Sequence, residues 1–167
     1  PDYGLIGNGV AALYLRGIHD DVRGVPRPEL LEARTRGFGR LGALLTRGAL
    51  RRERAATLKR AGRVNRLFEQ HDVLLVPTVG RPPVDVGRWE GQGALRILLG
   101  MSRVYPFTGA WNYTGQPAAA VPAGFNSDGL PLSVQLVGRP NDEATLLSLA
   151  AQIEAERPWA DRLPPLE

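Results

Sequence analysis

The chain contains no cysteine, one methionine and, among its 21 basic residues, a single lysine, Lys59. The first absence excludes disulfides, thiolate metal sites and a cysteine nucleophile. The second leaves almost no amine for base or Schiff-base chemistry, and Lys59, set among Arg54, Arg60 and Arg63, reads as a solvated charge. The preference for arginine is read as genomic, from a GC-rich coding sequence. Aromatic residues make up only 7% of the sequence, and no apolar run approaches the roughly 20 residues that span a bilayer. Neither a basic leader nor a long apolar stretch appears over residues 2–9. The expectations are no membrane segment and, by default, a cytoplasmic location.

What is present suits a globular chain. A length of 167 residues could form one domain, and 43% hydrophobic content is ordinary. The net charge of +4 is unevenly spread: residues 34–66 hold eleven basic side chains against Glu53 alone. That stretch therefore carries +10 and the remainder −6. A basic helix of this kind could grip nucleic acid or an acidic partner by neutralising phosphates or carboxylates. It has no interleaved aromatics for base stacking, and the preferred reading is a basic helix face against acidic surface elsewhere in the protein.

Pro28 followed by Glu29-Leu30-Leu31-Glu32 predicts a helix start, continuing to about Gly48. A second helix is expected from about Ala49 to Gln70, with Leu58, Ala61, Val64, Leu67 and Phe68 on one face. The β-branched-rich run from Asp72 to Pro77 predicts a strand buried on both faces. Residues 80–93 read as a long connection and 94–104 as a helix. Pro117–Phe125 and Leu132–Val137 predict a hairpin through Asn126-Ser127-Asp128-Gly129. Asn141 or Asp142 then caps a helix carrying Leu146, Leu147, Ala150 and Ile153 on an apolar stripe, which ends before Pro158. The organisation is a helical, basic region over 29–70, strands and connections over 72–138, and a C-terminal helix over 141–157.

Local motifs supply little chemistry. Gly37-Phe38-Gly39-Arg40-Leu41-Gly42 matches a dinucleotide fingerprint by letter, but a helix rather than a strand precedes it, and no acidic residue stands about 20 positions on. None of Ser102, Ser127, Ser133 and Ser148 lies in a Gly-x-Ser-x-Gly elbow. His19 and His71 remain formal partners for a serine triad. No spacing suggests zinc or paired acid and base carboxylates, so no metal or cofactor is expected. Asn112-Tyr113-Thr114 is a glycosylation acceptor in form only.

One long ordered segment is specific. Residues 107–138 run Phe-Thr-Gly-Ala-Trp-Asn-Tyr-Thr-Gly-Gln-Pro-Ala-Ala-Ala-Val-Pro-Ala-Gly-Phe, then through the turn to Leu-Pro-Leu-Ser-Val-Gln-Leu-Val-Gly. This resembles the C-terminal signature of the amidase signature family, and the resemblance extends over residues 72–78 and 139–154. It implies an α/β fold with a mixed β-sheet covered by helices, of which this chain is an incomplete, C-terminal part. It also implies amide hydrolysis by two serines, one on a cis peptide bond, and a lysine, all upstream of this chain. No catalytic residue is then expected here, and the chain alone should be inactive. Asn112, Gly115, Pro117, Pro122 and Gly124 fall on structural positions of the motif, with Tyr113 replacing the usual aliphatic residue. Tyr105, Phe107, Thr108 and Trp111, just before it, become substrate-pocket candidates, with core packing as the competing role. Carrying no charge, they suit a small uncharged amide. The expected partner is the missing N-terminal part, with a homodimer left open. The amidase subunit of a transfer-RNA-dependent amidotransferase is a related alternative.

Overall fold

A computed structural model describes residues 4–161. The segment read for a leader, 2–9, lies partly outside them. Six helices and three strands follow in the order α1 (Gly4–Gly24), α2 (Ala33–Ala43), α3 (Arg47–Asn65), β1 (Leu74–Pro77), α4 (Ala94–Val104), α5 (Thr108–Thr114), β2 (Ala118–Phe125), β3 (Pro131–Val137) and α6 (Glu143–Glu156). Short 3-10 turns occupy Pro28–Leu30 and Arg66–Glu69.

The strands form an antiparallel sheet with β3 in the centre. Val137 lies opposite Leu74 on one side and Ala118 on the other, while Leu136 faces Leu75 and Ala119. Because successive side chains alternate, the two faces join different cores. Val137, Leu74 and Val76 meet Val64 of α3, Phe68 of the turn that follows it, and Trp111 and Tyr113 of α5. Leu136, Val121 and Val134 meet Leu146, Leu149, Ala150 and Ile153 of α6. The result is a helix–sheet–helix sandwich, the α/β arrangement expected. Among the described residues β1 and β2 each pair only with β3, so both outer edges of the sheet are open.

The hairpin forms where the sequence placed it. Asn126 Oδ1 accepts from the backbone N–H groups of Asp128 (3.0 Å) and Leu130 (2.8 Å), and Gly129 takes φ +76° without a Cβ clash. Beyond the hairpin, β2 bulges between Pro122 and Gly124, which has φ +111°. Proline withholds a ladder donor, so a bulge at this point is its natural location.

Several expectations are corrected. The helix expected from about residue 29 to 48 is shorter at both ends, a 3-10 turn at Pro28–Leu30 preceding α2 at Ala33. It ends at Ala43, and Thr46 Oγ1 accepts from the Ala49 amide at 3.2 Å and caps the next helix at Arg47, two residues before its expected start, so the basic stretch 34–66 spans these two helices and the turn between them. Leu58 is 78% exposed, and only Val64 and Phe68 of the expected stripe are fully buried. On β1 burial alternates, with Leu75 66% exposed, because α6 covers β2 and β3 without reaching it. Leu147 is 66% exposed and leaves the α6 stripe. The whole of α1 went unforeseen.

That helix explains the glycines of the apparent nucleotide fingerprint. They lie inside α2, where Gly39 and Gly42 are buried against α1. A Cβ at Gly42 would stand 2.0 Å from the Leu15 carbonyl oxygen, so only hydrogen permits this approach. His19 donates its Nδ1–H to the Gly39 carbonyl at 3.0 Å, and Tyr14 meets Phe38 edge to face. Among the described residues no strand precedes the motif, and the dinucleotide reading falls with it.

Candidate functional site

The signature segment begins at the end of α4 and turns through α5 into β2. Tyr105 closes α4, its amide donating to the Met101 carbonyl at 2.8 Å, and its side chain is 48% exposed. Phe107 and Thr108 follow at half-buried positions at the start of α5, and Asn112 is exposed. Trp111 points the other way: it is 3% exposed, within the core shared with Val137. The four pocket candidates therefore divide, three at or near the surface and one in the core.

Gly115 ends α5 in the left-handed conformation at φ +84°, its amide donating to the Trp111 carbonyl at 2.8 Å. This turn aims Gln116 inward, where it is buried. The Gln116 side-chain amide donates to Asn65 Oδ1 at 2.7 Å, tying the segment to the end of α3. The Thr114 hydroxyl lies between the Ala110 carbonyl and Gln116 Oε1 and donates to one at a time. Each buried polar atom so used avoids a desolvation cost of about 1–3 kcal/mol. Pro117, partly buried, enters β2 directly after.

A second polar cluster holds the other side of α5. Tyr113 donates its hydroxyl hydrogen to Glu53 Oε1, and Arg60 donates both to that same oxygen and to the Tyr113 hydroxyl. Glu53 is held below its ordinary value, chiefly by the Tyr113 hydroxyl and then by Arg60, with burial opposing. Tyr113 is pushed up, first by burial and then by the carboxylate. A Cβ at Gly9 would stand 2.1 Å from Glu53 Oε1, so α1 also closes on this cluster. The departure of Tyr113 from an aliphatic residue thus comes with its own partners. Motif reading alone did not identify Glu53, Arg60, Asn65 or Gln116; the one available signal was Glu53 as the sole acid within 34–66.

Arg139, just past β3, donates to the Phe68 carbonyl at 3.1–3.2 Å and to Asp72 Oδ1 at 2.8 Å. It clamps the end of the central strand to the entry of β1. No serine is hydrogen-bonded to a histidine among the described residues: Ser102 donates to the Leu99 carbonyl, and His19 is spent on Gly39. Lys59 is exposed. The described residues include no cluster of metal-ligating side chains and no helix long and apolar enough to cross a membrane.

Residues 6–147 match the family model described as Amidase, including the β1 strand, the Asn112–Pro117 turn and the hairpin. The chain belongs to the amidase family. It is 47% identical over 151 residues to the amidase-family protein AmiB2 of Mycobacterium tuberculosis (strain ATCC 25618 / H37Rv), covering 90% of this chain and 33% of AmiB2. AmiA2 of the same strain is 36% identical over 165 residues, covering 98% of this chain and 34% of AmiA2. Among solved structures, 6-aminohexanoate cyclic dimer hydrolase in complex with substrate superposes with a TM-score of 0.71 at 28% identity, covering 93% of this chain and 35% of that one. The chain thus spans about a third of the length of these relatives. The family match does not favour the nucleic-acid reading of the basic stretch.

Proposed function

We propose that this amidase segment forms the non-catalytic part of an enzyme that hydrolyses a carbon–nitrogen amide bond, and that it supplies one wall of the substrate pocket. The observation that carries this is the α4–α5 turn, which leaves Tyr105, Phe107 and Thr108 accessible at the head of the family's signature segment. Trp111 backs this wall from the core. The nucleophilic serine, the second serine on a cis peptide bond and the lysine belong to the remaining two thirds of the protein. There the first serine attacks the amide carbonyl, the second serine and lysine carry its proton to the leaving amine, and water releases the acyl group. Backbone N–H groups stabilise the oxyanion. The open edges of the three-stranded sheet are where the strands of that remainder pair, making it the segment's first partner.

An uncharged substrate suits the wall, since Tyr105, Phe107 and Thr108 offer contact area and hydroxyls without charge. One similar protein is named for a cyclic dimer of an amino acid, a substrate whose amine and carboxylate are condensed and so uncharged. The test is steady-state kinetics of the whole protein on a neutral anilide. Thr108→Val should lower kcat/KM by about ten-fold, one hydrogen bond's worth of about 1.4 kcal/mol. Phe107→Ala should raise KM. If neither parameter moves in either variant, this segment does not form the wall.

A further inference from the structure

A cleft opens between α2, the 80–93 connection and α4, and none of its lining residues belongs to α5. Five guanidinium-bearing residues line this cleft of about 840 Å³: Arg40 from α2, Arg81 and Arg88 from the 80–93 connection, and Arg96 and Arg103 from α4. No aspartate or glutamate lines it. Among the described residues none of the five is paired with a carboxylate; the four ion pairs present involve Arg16, Arg34, Arg60 and Arg139. Glu32, Asp85 and Glu90 line an adjoining groove, which shares Arg88 and Trp89 with the cleft. Arg40, Arg81, Arg96 and Arg103 stand clear of that groove, and four positive charges around one concavity repel one another and focus a positive potential into it.

The cleft also presents apolar surface beside these charges. Trp89 is pressed against α4 so closely that a Cβ at Gly100 would stand 2.2 Å from the indole Cη2. The Arg88 guanidinium lies 5.7 Å from the indole centroid, which steadies both groups. Leu95 and Leu99, one helical turn apart, remain 60% and 56% exposed on the same cleft. Its volume falls within the range of small-molecule sites, and arginine's planar fork is suited to a carboxylate.

We propose that this cleft binds a small organic carboxylate, with the carboxylate among the arginines and its apolar body against Trp89, Leu95 and Leu99. The inference does not rest on amide hydrolysis. Calorimetric titration of the protein expressed from its complete gene, at low salt, tests it with benzoate and with acetophenone, a neutral isostere that no amidase can cleave. Benzoate should bind at least about ten-fold more tightly than acetophenone, and Arg81→Gln with Arg103→Gln should remove that margin. Arg96→Gln, an exposed single change, should weaken benzoate by a smaller factor, and Trp89→Leu should weaken both probes. Equal affinity for the two probes overturns the proposal, as does benzoate binding indifferent to the arginine changes. Inorganic phosphate binding as tightly as benzoate reduces the cleft to a bare charge patch, which also overturns it. So does binding seen with residues 1–167 alone and abolished in the complete protein, because an acidic surface of the same protein would then fill the cleft.

Discussion

Tyr113→Phe is the sharpest test of how the signature helix is held. The substitution deletes one oxygen from the Glu53–Arg60–Tyr113 cluster and leaves the ring in the core, where the residue is 8% exposed. A hydrogen bond to a charged group contributes about 1.5–3 kcal/mol net. Glu53 and Arg60 keep each other after the change and retain 23% and 20% side-chain exposure, so water replaces part of the loss. The expected cost is about 1–2 kcal/mol of folding stability, read by urea unfolding followed by circular dichroism. A double-mutant cycle with Glu53→Gln should return a coupling of about 1 kcal/mol. The pH dependence follows from the depressed Glu53 carboxyl. Its stabilisation is fully present above the ordinary value of 4.5 and is lost as pH falls through the lower folded value. The parent protein should therefore lose more stability than Tyr113→Phe between about pH 5 and pH 3. A cost below about 0.5 kcal/mol, with parallel acid profiles, would refute the claim that this cluster anchors α5.

Other consequences can be checked alongside. Gly42→Ala should destabilise by about 1–3 kcal/mol in thermal unfolding, because the added carbon meets the backbone of α1 rather than a side chain that can turn away. Leu136→Ala removes a fully buried side chain from the α6 face of the central strand and should cost about 2–5 kcal/mol by the same measurement. Residues 1–167 expressed alone should bind a hydrophobic dye and self-associate through the open β1 and β2 edges, as judged by light scattering; a monodisperse, dye-silent monomer would contradict the open-edge reading.

The second half of the chain was legible because its signals are local. An apolar run between turn residues, a glycine at positive φ in the hairpin and an apolar stripe on α6 each report on their own segment. The first half was read less well for the same reason. Gly4, Gly7, Gly9 and Gly17 depress helix propensity across α1, yet Gly9 is what lets α1 close on the Glu53 cluster, while Gly39 and Gly42 of α2 make room for α1 on the other side. Leu44 and Leu45 prolong the apolar pattern of α2 and mask the Thr46 cap. Leu75 looks like core by composition, but burial depends on how far α6 reaches across the sheet, which no window of sequence encodes. The site divides similarly. Position in the motif indicated Tyr105, Phe107, Thr108 and Trp111, whereas only the packed structure turned Trp111 inward and joined Gln116 to Asn65 across 51 residues.

The central claim is that the chemistry of this amidase resides outside residues 1–167. Labelling the whole protein with a serine-reactive fluorophosphonate, followed by peptide mapping, tests it most directly. The account predicts one modified serine, outside this segment, with loss of amide hydrolysis in proportion to labelling. Stoichiometric modification of Ser102, Ser127, Ser133 or Ser148, with activity lost in step, would contradict it.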